Sequence, residues 1–191
     1  MKLKNIGACL LLVCLQLSCK DKIRSRAELY SYIQDTDHGL LVKKENNGVT
    51  VAMSYIASKL ISDNQKGGDK TKYLYFRLVY QIQEKDMLSN VGEDSYSVLF
   101  SRLSFKLADY LIVSSGGKKV QLADYQFSPM FGATNNTELI VAIDPEKLAD
   151  KNEFAFQLKD IGLGLPVYEF KFEHAAIDRL ENLTKNLKIQ N

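Results

Sequence analysis

From Tyr73 to Gln83 the chain alternates strictly, with Leu74, Phe76, Leu78, Tyr80 and Ile82 on one side and Tyr73, Tyr75, Arg77 and Gln81 on the other. A period of two is the mark of a strand, and five apolar residues on one side require a second layer to cover them. The other apolar runs are short and bounded by turn residues. Leu41 to Glu45 and the set Val49, Val51, Met53 and Tyr55 flank Asn46-Asn47-Gly48, and Asn-Gly between two such runs predicts a tight hairpin. Tyr110 to Ser114 and Val120 to Phe127 flank Gly116-Gly117 and read as a second hairpin. Leu139 to Ile143, Phe154 to Leu158 and Val167 to Phe172 complete a set of about eight short strands. No segment of crossover-helix length separates them. The expectation is a mainly β fold with flanking helices, an antiparallel β-sandwich or partly open barrel rather than a parallel sheet.

Helical spacing occurs in fewer places. Ser25 is an expected N-cap for a helix ending at Asp35, with Glu28 as its capping-box partner and Leu29, Tyr32 and Ile33 on one face. Ala57 to Ser62 reads as one or two helical turns, followed by an exposed, protease-sensitive loop from Asp63 to Lys72 around Gly67-Gly68. Tyr96 to Leu107 fits two periods: Val98, Leu99 and Leu103 are spaced for a helix, Leu103, Phe105 and Leu107 for a strand. A short helix passing into a strand is expected there. The last helix is predicted over 174–188, with Ala176, Leu180, Leu183 and Leu187 as its apolar stripe and Arg179, Glu181, Lys185 and Lys188 covering the remainder. That stripe packs on the sandwich or docks a partner.

The amino end carries an address. Lys2 and Lys4 precede an apolar run from Ile6 to Leu15, and Leu15-Gln16-Leu17-Ser18-Cys19 closes it. A run of roughly 10 residues is too short to span a ~30 Å hydrocarbon core as a helix. Small Ser18 before a cysteine suits a processing peptidase. This arrangement resembles the signal peptide and lipobox of a bacterial lipoprotein, and its loose form, with Gln16 at the usual leucine position, is similar to uncharacterised lipoproteins of Bacteroidota. The resemblance implies a signal peptide over 1–18 and diacylglycerol and palmitate on Cys19. It also implies a protein held at the outer membrane of the cell envelope, with the periplasmic and surface-facing sides both open. Lys20-Asp21-Lys22 is similar to the charged export signals of surface-exposed members, and is equally consistent with a solvated linker. Residues 19–25 would then be a lipidated start and short tether, and 26–191 a single β-rich domain.

Removing 1–18 takes away Lys2, Lys4, Cys9 and Cys14, which brings the formal charge from +2 to 0 and leaves Cys19 as the last cysteine. A neutral chain with scattered charges gives no electrostatic reason to bind nucleic acid. With Cys19 lipidated, no disulfide, cysteine metal site or cysteine nucleophile is available.

Candidate chemistry is sparse. Asp35-Thr36-Asp37-His38 groups two carboxylates and an imidazole, a cation-binding set, yet no acidic residue follows at the spacing of a calcium loop. His174 beside Glu173 reads as a boundary residue at the start of the last helix. No Gly-x-Ser-x-Gly elbow places a serine near either histidine. Glu93 with Asp94, or Glu45 with Glu84, supplies carboxylate pairs whose convergence the sequence does not define. Gly162-Leu163-Gly164 precedes a strand and reads as a turn, not a nucleotide loop. No metal, cofactor or catalytic residue is expected. The candidate binding face is Tyr73, Tyr75 and Arg77, because amphipathic rings on a sheet suit peptide or sugar contact. The leading expectation is a lipid-anchored, non-catalytic scaffold or adaptor with an envelope protein as partner. A surface receptor or inhibitor of a peptide, protein or glycan comes second, and a hydrolase third.

Overall fold

The structure is a computed structural model that describes residues 22–62, 72–130 and 132–187. Helix α1 (Arg26–Gln34) leads into the hairpin β1 (Leu41–Asn46) and β2 (Val49–Ile56), and α2 (Ser58–Ser62) follows. After the chain resumes come β3 (Leu74–Ile82), β4 (Lys85–Asp86), α3 (Glu93–Phe105) and α4 (Leu107–Tyr110). The last part runs β5 (Leu111–Ser115), β6 (Lys118–Val120), β7 (Asp124–Phe127), β8 (Thr137–Ile143), β9 (Glu153–Leu158), β10 (Tyr168–Glu173) and α5 (His174–Thr184). All strand pairs are antiparallel. The larger sheet has the order β1-β2-β3-β8-β7, with β4 also on β3, and the smaller has the order β10-β9-β5-β6. The expected antiparallel sandwich is therefore the observed architecture.

The two sheets meet through aromatic rings. Phe76 of β3 lies 4.9 Å from both Phe156 and Phe172 and 5.7 Å from Phe154, centroid to centroid. Leu78 and Tyr80 continue the same face of β3 and are fully buried, as the alternation predicts. Tyr80 carries its hydroxyl into this core without a hydrogen-bond partner. Burial, and then the negative charge of Asp160, push its phenol far above the usual tyrosine range. A buried hydroxyl left unpaired costs about 1–3 kcal/mol in protein mutants, so Tyr80→Phe should raise the urea midpoint with an unchanged slope. The sign of the pH effect is fixed as well. Because the folded state holds this proton above the unfolded phenol value near 10, stability is lost as pH rises past that point, and Tyr80→Phe should resist alkaline unfolding.

The first hairpin turns through Asn47 and Gly48, both at positive φ (51° and 75°), the geometry that Asn-Gly favours. Gln83 and Glu84 make a second two-residue turn at φ 49° and 62° with residues that do not favour it, which is why the short β4 carries no sequence signal. Ser25 accepts from the Glu28 N–H at 3.1 Å, as expected of the N-cap. The returning Glu28 carboxylate accepts from Arg24 N–H at 2.7 Å, one residue earlier than a standard capping box.

Four expectations need correction. Among the described residues ten strands form rather than about eight, and the expected strand over Val120 to Phe127 breaks after Val120, because the chain leaves the smaller sheet there and enters the larger one as β7. No strand covers Leu103 to Leu107: helix continues to Phe105, and after a break at Lys106 (φ −130°) a further turn runs to Tyr110. Glu93 and Asp94 sit in the first turn of α3, where negative charge favours a helix start, and Leu99 and Leu103 lie four apart on its buried face. The last helix ends at Thr184, and its buried face is Ile177, Leu180 and Thr184 with Leu187 just beyond, whereas Ala176 and Leu183 are half-buried at its margin. Thr184 is accommodated because its hydroxyl donates back to the Leu180 carbonyl at 3.0 Å. Finally, core packing begins before residue 26, the expected start of the domain, since Ile23 is packed into the core at 8% exposure. The expected loop over 63–72 lies, but for Lys72, outside the described residues, as does Cys19.

Candidate functional site

The outer face of the larger sheet forms a shallow trough. Strand register places Ile56, Tyr75, Ala142 and Asp124 in one row across β2, β3, β8 and β7. The next row is Ser54, Arg77, Ile140 and Gln126, and Ala52, Val79 and Glu138 follow. Small side chains at Ala52, Ser54 and Ala142 leave depth between the larger ones. The trough holds about 520 Å³ and is walled by Arg26, Tyr30 and Ile33 of α1 and by Leu60 and Ile61 of α2. Tyr75 and Arg77 stand on its floor, as the alternation predicts. Tyr73 is set just beyond, its ring edge-on to Tyr75 at 6.4 Å and under the Lys72 ammonium at 5.6 Å.

Charge in the trough is balanced, with Arg26 and Arg77 against Asp124 and Glu138. The Arg77 guanidinium lies 3.5 Å from the Glu138 carboxylate, both about one-third exposed. A partly exposed pair of this kind contributes ~0–1 kcal/mol, so either group can exchange its partner for a ligand's polar atoms at little cost. Ile140 points an apolar, β-branched side chain into the same space at 37% exposure. Polar pairs, two tyrosines and an exposed isoleucine together suit an amphipathic, extended ligand segment rather than a compact ion.

The sequence alternation identifies Tyr75 and Arg77 but misses the walls. Arg26 and Tyr30 lie off the buried face of α1, where Arg26 covers the Tyr30 ring at 5.9 Å, and no local pattern relates them to Tyr75 and Arg77, far along the chain. Ile140 was the available signal, an apolar side chain at an outward position of β8.

The other candidates have structural roles. Asp35 accepts from Asp37 N–H at 3.0 Å, and the His38 ring stacks on Tyr32 at 3.6 Å with Nδ1 2.8 Å from the Tyr32 carbonyl. These residues close the turn after α1. Among the described residues, no group of three or more His, Cys, Asp and Glu side chains converges as a metal site. His174 begins α5 with its ring 5.2 Å from Phe154 and its backbone N–H on the Asn152 carbonyl at 2.8 Å. Glu93 and Asp94 start α3, Glu45 sits on β1 and Glu84 in the β3–β4 turn. A buried carboxylate that the sequence did not single out, Asp86, accepts from the Thr137 hydroxyl and from the Ser89 hydroxyl at 2.5 Å, pinning β4 to β8.

Gly162-Leu163-Gly164 is the expected turn, organised by Asp160. Its carboxylate accepts from the N–H groups of Gly162 (3.0 Å), Leu163 (2.8 Å) and Gly164 (3.0 Å). Burial works to raise this carboxyl, but the N–H groups of Leu163, Gly162, Leu165 and Gly164 outweigh it and hold it below the usual range. A lowered folded value means that the stabilisation is present above the unfolded value near 4 and is lost as pH falls below it. Asp160→Asn, which withdraws one acceptor oxygen, should cost about 1–2 kcal/mol at pH 7. Urea titrations at pH 7 and pH 3 should show that deficit shrinking on acidification.

Among the described residues no helix is long and apolar enough to cross a membrane. Comparison with protein-family models, with curated proteins and with solved structures finds no match to this chain.

Proposed function

We propose that this chain is a lipid-anchored, non-catalytic protein of the cell envelope that works as a scaffold or adaptor, holding a protein partner in the trough on the outer face of its larger sheet. The observation that carries this reading is the trough itself: a rigid β floor with Tyr75, Arg77 and Ile140 exposed upon it, walled by two helices. A protein anchored at Cys19 and gripping a partner with a sheet face needs no reacting group, only preorganised contact area. The size of the trough, about 520 Å³, also falls in the range of clefts that hold discrete ligands, which favours as a second reading a receptor or inhibitor that captures a peptide or glycan.

The test places a photo-crosslinking residue at Gln126, in the trough, and at Glu169, on the exposed outer side of β10. In growing cells Gln126 should capture a defined envelope protein, and Tyr75→Ser with Arg77→Ser should reduce that capture at least tenfold, the loss of about 1.4 kcal/mol or more. Equal capture from Glu169, or capture that survives both serine substitutions, overturns the adaptor reading; a glycan or short peptide eluted from the purified protein favours the receptor. Anchoring has its own readout, the incorporation of labelled palmitate and its loss in Cys19→Ser.

A further inference from the structure

A second groove lies between the last turns of α5 and the segment Lys22–Arg24 that enters α1. It holds about 1200 Å³, with Ile23, Leu183 and Leu187 as its apolar floor. Three cations, Lys22, Arg24 and Arg179, stand around it against one anion, Asp178. This is a different composition from the balanced trough on the larger sheet.

We propose that this groove is the face on which the domain rests against its own membrane, taking the anionic phosphate headgroups of the bilayer between Lys22, Arg24 and Arg179 and their glycerol and upper acyl carbons against Ile23, Leu183 and Leu187. The inference rests on the anchoring reading, and two observations support it. The first is the length of chain outside the fold. Ile23 is locked into the core, and only three residues separate it from Cys19, so the anchor lies within about 14 Å of this groove at 3.3 to 3.6 Å per residue. The second is charge: a net excess of cations around an apolar floor is the complement of an anionic lipid surface, which attracts Lys and Arg within a Debye length.

The geometry also sets the direction in which the rest of the domain points. β10 runs directly into α5, so Val167, 59% exposed and just before the start of β10, lies at the end of that strand away from α5. In this pose the Val167 end of β10 faces the aqueous side.

The test uses the mature, cell-derived protein in vesicles of phosphatidylethanolamine and phosphatidylglycerol. An environment-sensitive fluorophore is placed at Asn182→Cys, on the groove, or at Val167→Cys, and lipids carrying a headgroup quencher are added. The expected result is quenching at 182 on the order of threefold stronger than at 167, and Lys22→Glu with Arg24→Glu and Arg179→Glu should abolish the difference. Palmitate is measured on the same sample. Palmitate present with equal quenching at both positions discards the docking face and leaves the anchor standing. No palmitate, with phosphatidylglycerol-dependent quenching at 182, discards the anchor and keeps the face; neither signal discards both. Quenching between labelled copies that is independent of lipid assigns the groove to a second copy of the chain and overturns the proposal.

Discussion

Phe76→Ala should remove a large part of the stability of this domain, about 3–5 kcal/mol, because it deletes the ring through which the larger sheet touches three phenylalanines of the smaller one. Its side chain is completely buried, and Phe154, Phe156 and Phe172 also contact one another around it. Those neighbours lie on two hydrogen-bonded strands in fixed register, Phe154 opposite Phe172 and Phe156 opposite Phe170, so they cannot collapse into the void without breaking the pairing. Most of the cavity should therefore persist. A domain of this size has ~5–15 kcal/mol in all, which makes the alanine variant marginal. Phe76→Leu keeps most of the volume and loses chiefly the edge-to-face contacts, so about 1–2 kcal/mol is expected. Urea unfolding followed by circular dichroism measures both. A loss from alanine no larger than that from leucine contradicts a rigid four-ring junction.

Phe76 was legible because a strand buried on one face announces itself in any window. The same logic identified β2, β8, β9 and β10, each short and alternating, and the Asn-Gly turn set their first hairpin. It failed where two periods coincide. Leu103, Phe105 and Leu107 are two apart, but Val98, Leu99 and Leu103 are spaced for a helix, and the fold takes the helical reading as far as Phe105: Leu99 and Leu103 are buried, Val98 is 44% exposed and Phe105 stands 75% exposed at the end of α3. A strand there would have had to bury Phe105. On α5 Leu180 and Leu187 of the expected stripe are buried, whereas Ile177 and Thr184 take the buried positions expected of Ala176 and Leu183, and a threonine that satisfies its own hydroxyl is invisible to a hydropathy pattern. The candidate binding face divides in the same way. Tyr75 and Arg77 come from a local alternation, whereas the walls at Tyr30 and Leu60 depend on where two helices settle, which is a property of tertiary packing.

Glu181 shows how strongly that packing is specified, and its removal should produce the second large effect. By helical spacing it belongs to the polar face of α5, yet its carboxylate reaches across to the start of α2 and the end of β2. It accepts from the Tyr55 hydroxyl at 2.9 Å, from the Ser58 N–H at 2.9 Å and from the Ser58 hydroxyl. One side chain thus ties three elements together and supplies a negative charge at the first turn of α2, where the helix dipole favours it. Glu181→Ala should cost about 3 kcal/mol, since charge-assisted bonds contribute roughly 1.5–3 kcal/mol each and the Tyr55 hydroxyl, in a side chain only 3% exposed, would be left without an acceptor. Tyr55→Phe alone should cost about 1 kcal/mol, and the double variant should fall short of the sum by a similar amount, because the second change removes the donor that the first leaves unpaired. Additive losses would mean that the two groups do not depend on one another. The phenol of Tyr55 is pushed far above its ordinary value, by burial first and then by the charge of Glu181, so the folded state keeps its proton where the unfolded chain has lost it. Stability carried by this pair is complete below about pH 10 and declines above it, and Tyr55→Phe should flatten that decline. Because α2 provides Leu60 and Ile61 to the trough wall, hydrogen exchange at its amides should quicken in Glu181→Ala, and crosslinking from Gln126 should weaken even in protein that remains folded. Fast exchange with undiminished capture would separate the wall from partner binding and place recognition on the Tyr75–Arg77 floor alone.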